Sequence, residues 1–368
     1  MSSPTPTPAP NTILVNEMRL STRQWLLVAA IVLFILALTP LIWKQIEHFE
    51  TGPDYRLPYA LSKDYWLYER RLQAIPVTSA VVLGDSVVWG EYVLPDGTLS
   101  HFLNHEAGRS DAFASAGVNG LFPLALEGLV EHYGSALRHR KVILHCNLLW
   151  LSSSKADLQT TKEERFNHAR LVPQFTPRIP CYRADVNERL GVVMELNLPI
   201  LSWVNHLHCA FFNQKSIPDW TLEEGVGGLP SHPNTYKNPL AQITLRVPAA
   251  TEPDPERGPT SGRHKPWSTS GKGDTRFEWV PLDSSLQWAA FQRLTGRLRE
   301  RGNDLLVVVG PFNEHMLAEE NRPAYRQLRD AVETWLRSQR LPCVVPEPLP
   351  SQLYADASHP LTEGYREM

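Results

Sequence analysis

The sequence predicts a doubly wound α/β domain: a parallel five-stranded sheet with helices on both faces, interrupted by a long insertion and preceded by one transmembrane helix. Three observations predict it. Short apolar runs at Ala80–Leu83, Val142–Cys146, Leu305–Val309 and Cys343–Val345, with a weaker one at Ala112–Ala116, have the length of strands. Their near-continuous apolar character is that of strands buried on both faces of a parallel sheet. Between them, Phe122–Leu137, Leu286–Arg301 and Pro323–Arg340 place apolar residues at helical spacing, which gives the βα rhythm of crossover connections. Finally, Trp25–Trp43 reads WLLVAAIVLFILALTPLIW without a charge, close to the ~20 apolar residues that span a bilayer as a helix.

Taken in chain order, residues 1–23 form a Pro/Thr-rich tail with little to bury, expected to be disordered. Residues 24–44 are expected to be a signal anchor. Trp25 and Trp43 bracket the run as interfacial aromatics do, and Pro40 sits near one end. The run is long for the apolar region of a cleaved signal peptide, and no small-x-small site follows before Lys44-Gln45-Ile46-Glu47. Arg19 and Arg23 precede the span while Lys44 and Arg56 follow it, so basic residues do not set its orientation. Everything that carries chemistry lies after the span, so the expected topology is a single-pass protein with a cytoplasmic N-terminus and an extracytoplasmic folded part.

Residues 45–78 read as a linker and lead-in helix, and 79–150 with 283–368 as the α/β domain. The segment between, 151–282, is the insertion. Its first part holds Trp203, Phe211, Phe212 and Trp220, aromatic mass enough for a cap over the sheet, whereas Val247–Arg276 is rich in Pro, Gly, Ser and charge and reads as a flexible loop. The 31 prolines among 368 residues fit long irregular connections. Lys plus Arg is 36 against 39 for Asp plus Glu, a net charge of −3 with no basic stripe, which argues against nucleic acid as a partner. The four cysteines include no CxxC pair. Cys181 and Cys209 could pair in an oxidising space, with free buried thiols as the other reading.

The chemistry-bearing residues stand at strand ends. Val81-Val82-Leu83 runs directly into Gly84-Asp85-Ser86, and in an open parallel sheet the C-terminal strand ends face the ligand crevice. After the final strand comes Asp356-Ala357-Ser358-His359-Pro360. The Asp-x-x-His spacing lets one turn hold a carboxylate against an imidazole, fixing the tautomer so that the other ring nitrogen can accept a serine proton. Ser115-Ala116-Gly117-Val118-Asn119-Gly120 follows the second strand, and Asn147 ends the third. A backbone N–H near Gly120 and the Asn147 amide are candidate donors to an oxyanion, although a Gly-containing turn and a strand-end Asn capping the next turn are the plain alternatives. Asn313-Glu314-His315, after the fourth strand, points to the same crevice, with His315 in reserve as base. His206-x-His208-Cys209 is a weak metal motif that reads better as packed structure.

In this order and at these places, Ser, Gly, Asn and Asp-x-x-His resemble the four blocks of the GDSL/SGNH hydrolase superfamily. The resemblance covers about Ala80 to Tyr365 apart from the insertion, and it implies a flavodoxin-like three-layer sandwich. It implies Ser86 as nucleophile, His359 as base and Asp356 as its orienter, with the Ser86 and Gly120 N–H groups and the Asn147 amide as oxyanion hole. Asp85, Asn119, Asn313 and His315 are the expected pocket residues. No metal or cofactor is required. The asparagine block departs from the family pattern, since Cys146 and Leu148 flank Asn147. Gly364-Tyr365 leads into a closing helix in the family, and the stop at Met368 fits a C-terminal truncation. The implied activity is that of a serine esterase or acyl hydrolase on an acyl ester of an envelope glycan or lipid. Membrane-tethered relatives also include polysaccharide O-acetyltransferases, which would take the acyl group from a polytopic membrane partner. A non-catalytic envelope glycan-binding protein is the rival from another class.

Overall fold

The computed structural model describes residues 20–49, 51–52, 54–222, 237–248, 265–270 and 275–368. Residues 1–19 of the expected disordered tail and most of the expected flexible loop lie outside the described residues, and Thr22 and Arg23 at the end of that tail already belong to a helix. By compactness the chain divides into Met1–Gln45 and Ile46–Met368.

The first unit holds a helix, α1 (Thr22–Ile46), long and apolar enough to cross a membrane, with a mean hydropathy of 2.8 over its apolar 18-residue window. Its 25 residues rise about 37 Å at 1.5 Å each, beyond the ~30 Å of a hydrocarbon core. Inside it the Thr39 hydroxyl donates to the Ile35 carbonyl at 2.8 Å, one turn before Pro40.

In the second unit a five-stranded parallel sheet has the order β2-β1-β3-β4-β5. The strands are β1 (Ala80–Gly84), β2 (Phe113–Gly117), β3 (Lys141–Cys146), β4 (Asp304–Val309) and β5 (Cys343–Val344). The lead-in helix is α2 (Tyr65–Ala74). A short α3 (Ser86–Trp89) and α4 (Leu99–Glu106) connect β1 to β2, and α5 (Pro123–Tyr133) connects β2 to β3. The insertion contributes α6 (Val186–Asn197), α7 (Pro199–Phe211), α8 (Ile217–Leu222), α9 (Pro239–Gln242) and α10 (Trp267–Ser270). Then follow α11 (Leu286–Glu300) before β4, α12 (Arg322–Ser338) before β5, and α13 (Thr362–Glu367).

Both faces of the sheet are covered, as apolar strands without alternation require. Val81 and Leu83 of β1 pack into a large core with Leu126, Leu129, Phe291 and Leu294 from α5 and α11. The intervening Val82 packs on the opposite face with Val87, Val88, Leu99 and Tyr365. The first stretch of the insertion is also core, because Leu158, Leu171, Val172, Ile179 and Cys181 are buried in the larger cluster. Cys181 and Cys209 are both free and buried.

A buried charge cluster ties the insertion to the lead-in segment. His206 of α7 sits between Asp64, which caps α2, at 2.7 Å from Nδ1, and Glu47, at 2.9 Å from Nε2. Arg70 pairs with the same Glu47. Both ring nitrogens face carboxylates, so both donate and the ring is an imidazolium. Burial pulls its pKa down, yet the two carboxylates outweigh this and lift it to about 9. A folded-state pKa above the unfolded ~6.5 contributes stability that is whole below the unfolded value and is lost as pH rises through the folded one. The contribution is on the order of 3 kcal/mol. Chemical denaturation of the full chain should therefore show a midpoint that falls between about pH 6.5 and 9, and His206→Gln should flatten that fall. A wild-type midpoint constant across the window would refute the assignment.

Candidate active site

The strand order places the reversal of winding between β1 and β3, where open α/β sheets bind ligands beyond the C-terminal strand ends. Ser86, one residue past β1, is the first residue of α3, and Asn147 follows β3. The turn into α3 is tight. A Cβ on Gly84 would lie 2.5 Å from the Val88 side chain and 2.7 Å from Cβ of His145, so only glycine lets the strand turn so close to its neighbour. Asp85 caps α3 by accepting from the Val87 N–H at 2.9 Å. At the other end Arg56 donates to the carbonyls of Gly90 and Val93 at 2.5 and 2.8 Å, and the Tyr365 hydroxyl donates to the Val87 carbonyl at 2.6 Å.

Although 273 positions apart, Ser86 Oγ and His359 Nε2 lie 2.7 Å from each other. On the far side of the ring, Nδ1 is 2.8 Å from both Asp356 carboxylate oxygens. The Ser358 and His359 N–H groups donate to Asp356 Oδ1 at 2.9 and 3.0 Å, closing the loop on itself. With Nδ1–H held by a carboxylate, Nε2 is left to accept the serine proton. Burial raises the Asp356 pKa, but the His359 hydrogen bond and charge and the two N–H donors outweigh it and hold the carboxyl below its usual value.

Two residues that sequence reasoning missed complete the surroundings of the His359 ring. Glu91 approaches Nε2 at 3.3 Å. Tyr92 sets its ring edge-on to the imidazole at 5.2 Å between centroids and hydrogen-bonds Asp356. Burial lowers the His359 pKa, while Asp356, Glu91 and Asp85 in turn raise it, and the net shift is upward from 6.5. If His359 is the base it must be unprotonated to accept, and the acid limb of kcat/KM should then have its midpoint above ~6.5. Glu91→Gln should move that limb to lower pH. A pH–rate profile with its acid limb at or below the ordinary imidazole value would contradict this environment.

Asn147 is close by, but its groups are occupied. The amide nitrogen donates to Asp85 Oδ2 at 2.8 Å and Ser358 Oγ at 3.3 Å, and its oxygen caps the next turn by accepting from Leu149 N–H at 3.0 Å. The capping expectation for a strand-end Asn is what the structure realises. Asp85, one of the possible pocket residues, is buried, with Oδ1 at 3.0 Å from His145 Nδ1. The signal for His145 was a lone imidazole inside an apolar strand.

Gly120 has a left-handed φ of +70°, and a Cβ there would run into the Asn167 amide. Asn119 is buried, and its carbonyl accepts from His168 Nε2 at 2.8 Å, while Tyr65 OH lies 3.0 Å from Nδ1. Burial lowers the His168 pKa to about 4, so it stays neutral and holds the turn. The first part of the insertion thus shapes the glycine turn.

Asn313 is buried and supports the loop from behind. Its side chain donates to the Asp356 carbonyl at 3.1 Å and its N–H to the Ala357 carbonyl at 2.9 Å. It positions Asp356 rather than lining a pocket. His315 is exposed and turns to the Leu349 carbonyl at 3.1 Å. It is not brought to Ser86, because the short turn Glu314–Met316 carries it outward from the loop after β4. Compared with known proteins, the chain matches no family model and no curated protein, and its chemistry is carried by the geometry above.

Proposed function

We propose that this chain is a membrane-anchored serine enzyme of the GDSL/SGNH type that cleaves an acyl ester through an acyl-Ser86 intermediate. The observation that carries the proposal is the unbroken Ser86–His359–Asp356 hydrogen-bond chain at the switch point of a parallel sheet. Ser86 Oγ attacks the ester carbonyl while its proton passes to His359 Nε2. The imidazolium, stabilised by Asp356, then returns that proton to the departing alcohol. Water gives up a proton to the same nitrogen in the second half-reaction, attacks the acyl-serine and releases the acid. The Ser86 and Gly120 N–H groups and the Asn147 amide are the proposed oxyanion donors. For Asn147 this needs its long bond to Ser358 to open, a tightening of the kind catalytic hydrogen bonds undergo on substrate binding.

The substrate class is an acyl ester on an envelope glycan or lipid. The anchor would place the N-terminus in the cytoplasm and the catalytic unit outside, in reach of it. Transfer of the acyl group to a sugar hydroxyl uses the same atoms, with the hydroxyl in place of water and a polytopic membrane protein as acyl donor. A fluorophosphonate probe separates enzyme from binding protein. Labelling of the full chain that vanishes in Ser86→Ala is expected, and folded wild-type protein that takes no label would leave the glycan-binding reading. Labelled acetyl donor with a glycan acceptor then separates hydrolysis from transfer.

A further inference from the structure

Three leucines of the insertion stand in solvent: Leu222 is 57%, Leu240 80% and Leu245 48% exposed. Single exposed leucines are ordinary; what sets these apart is what their segment is bonded to. The His48 N–H donates to the Leu245 carbonyl at 2.7 Å, and the Val247 N–H donates back to the His48 carbonyl at 3.1 Å. Gln242 donates to the Phe211 carbonyl at 3.1 Å. Phe211 ends α7, the helix whose His206 holds Glu47 at 2.9 Å. Glu47 and His48 are the first two residues after Ile46, where α1 ends, so at most about 7 Å of backbone separates them from its last turn.

We propose that this part of the insertion, α8 with residues 239–248, rests on the bilayer that holds α1, its leucines entering the headgroup and acyl boundary. The inference rests on the reading of α1 as a membrane anchor. The stretch carries one acid, Asp219, and one base, Arg246, so its leucines rather than a net charge would hold it at the surface. A leucine-bearing segment hydrogen-bonded to His48, two residues after the end of α1, would meet lipid before any soluble partner if α1 spans the bilayer. Seating it there would hold the catalytic unit at a fixed height above the surface.

The test uses the full chain in vesicles of phosphatidylcholine with a minority of phosphatidylglycerol, with an environment-sensitive fluorophore on Leu240→Cys or Leu245→Cys in a Cys343→Ser background. The other three cysteines are buried. Val77→Cys is the aqueous control, since Val77 is 83% exposed and lies beyond α2, about 15 Å long, from the Asp64 end that meets Glu47. Doxyl-labelled lipid is expected to remove most of the emission at 240 and 245 and to leave that at 77, and Leu222→Glu should weaken the quenching. Labels at 240 and 245 that behave like the control, in a chain that resists alkaline carbonate extraction, overturn this inference alone. Release of the whole chain by carbonate overturns the anchor reading and this inference with it. Shielding that ignores doxyl lipid and deepens with protein concentration assigns the patch to a second copy of the chain and also overturns it.

Discussion

Ser86→Ala is expected to lower kcat/KM for a short-chain aryl ester by on the order of 10⁶, leaving only what binding and oxyanion donors supply. His359→Ala should lose a similar amount, and the double variant little more, because in the proposed mechanism the two groups perform one proton transfer between atoms 2.7 Å apart. Asp356→Asn should cost about 10⁴. An amide there can present its N–H to Nδ1 and select the tautomer that leaves a proton on Nε2, where it cannot accept from serine. Both Asp356 oxygens lie 2.8 Å from Nδ1 and one also takes two backbone N–H groups, so the loop should survive the substitution while the tautomer changes. Kinetics of purified full-length variants on an aryl acetate check all of these. Turnover retained in Ser86→Ala, or losses in the single variants that multiply in the double, would remove Ser86 and His359 from the chemistry.

The hydrolase and transferase readings differ in the access of one molecule. In the proposed mechanism His359 Nε2 would serve any hydroxyl that reaches it, and Glu91, 3.3 Å away, would favour the protonated ring equally with either acceptor. What separates them is how long acyl-Ser86 avoids water. Ser86 and His359 are both buried, and the Tyr92 ring stands edge-on to the imidazole.

Strand residues were legible where both faces of the sheet are apolar. β1, β3 and β4 follow the runs Ala80–Leu83, Val142–Cys146 and Leu305–Val309 to within one residue. The weaker Ala112–Ala116 run also forms a strand, shifted by one residue to Phe113–Gly117, because Gly117 pairs with Gly84 at the strand end. The catalytic candidates Ser86, Asp356 and His359 were legible because strand-end position and local spacing are properties of the sequence. The surroundings were not. Glu91 and Tyr92 reach His359 across the fold. Asn167 and His168 reach the Gly120 turn from the insertion. Glu47, Asp64 and His206 meet only because α7 packs on the lead-in helix. No spacing rule connects residues 142 or 159 positions apart.

His145→Phe is expected to destabilise the fold by about 3–5 kcal/mol, the usual effect of leaving a buried charge without its partner. His145 Nδ1 faces Asp85 Oδ1 at 3.0 Å and Nε2 faces the Gly310 carbonyl at 2.8 Å, so the ring ties β1 to the end of β4 across β3. Both side chains are about 3% exposed, so water cannot stand in for the lost partner. Burial raises the Asp85 pKa, but the charge and hydrogen bond of His145, then Asn147, outweigh it and leave the carboxyl below its usual value. With the imidazole gone, only the Asn147 amide and the Val87 N–H remain to hold that charge. A loss of this size is a large part of the ~5–15 kcal/mol that keeps a domain folded. Asp85→Asn removes the charge yet keeps an oxygen to cap α3, so the double variant Asp85→Asn/His145→Phe should recover part of the loss, with a coupling of about 0.5–3 kcal/mol. Denaturant midpoints of the three variants decide it: strictly additive losses would mean that the two residues act separately. Because Ser86 follows Asp85 directly and Asn147 hangs from its other oxygen, the single variant should also lose activity under conditions where it is still folded, and the double should regain it as the strand end settles.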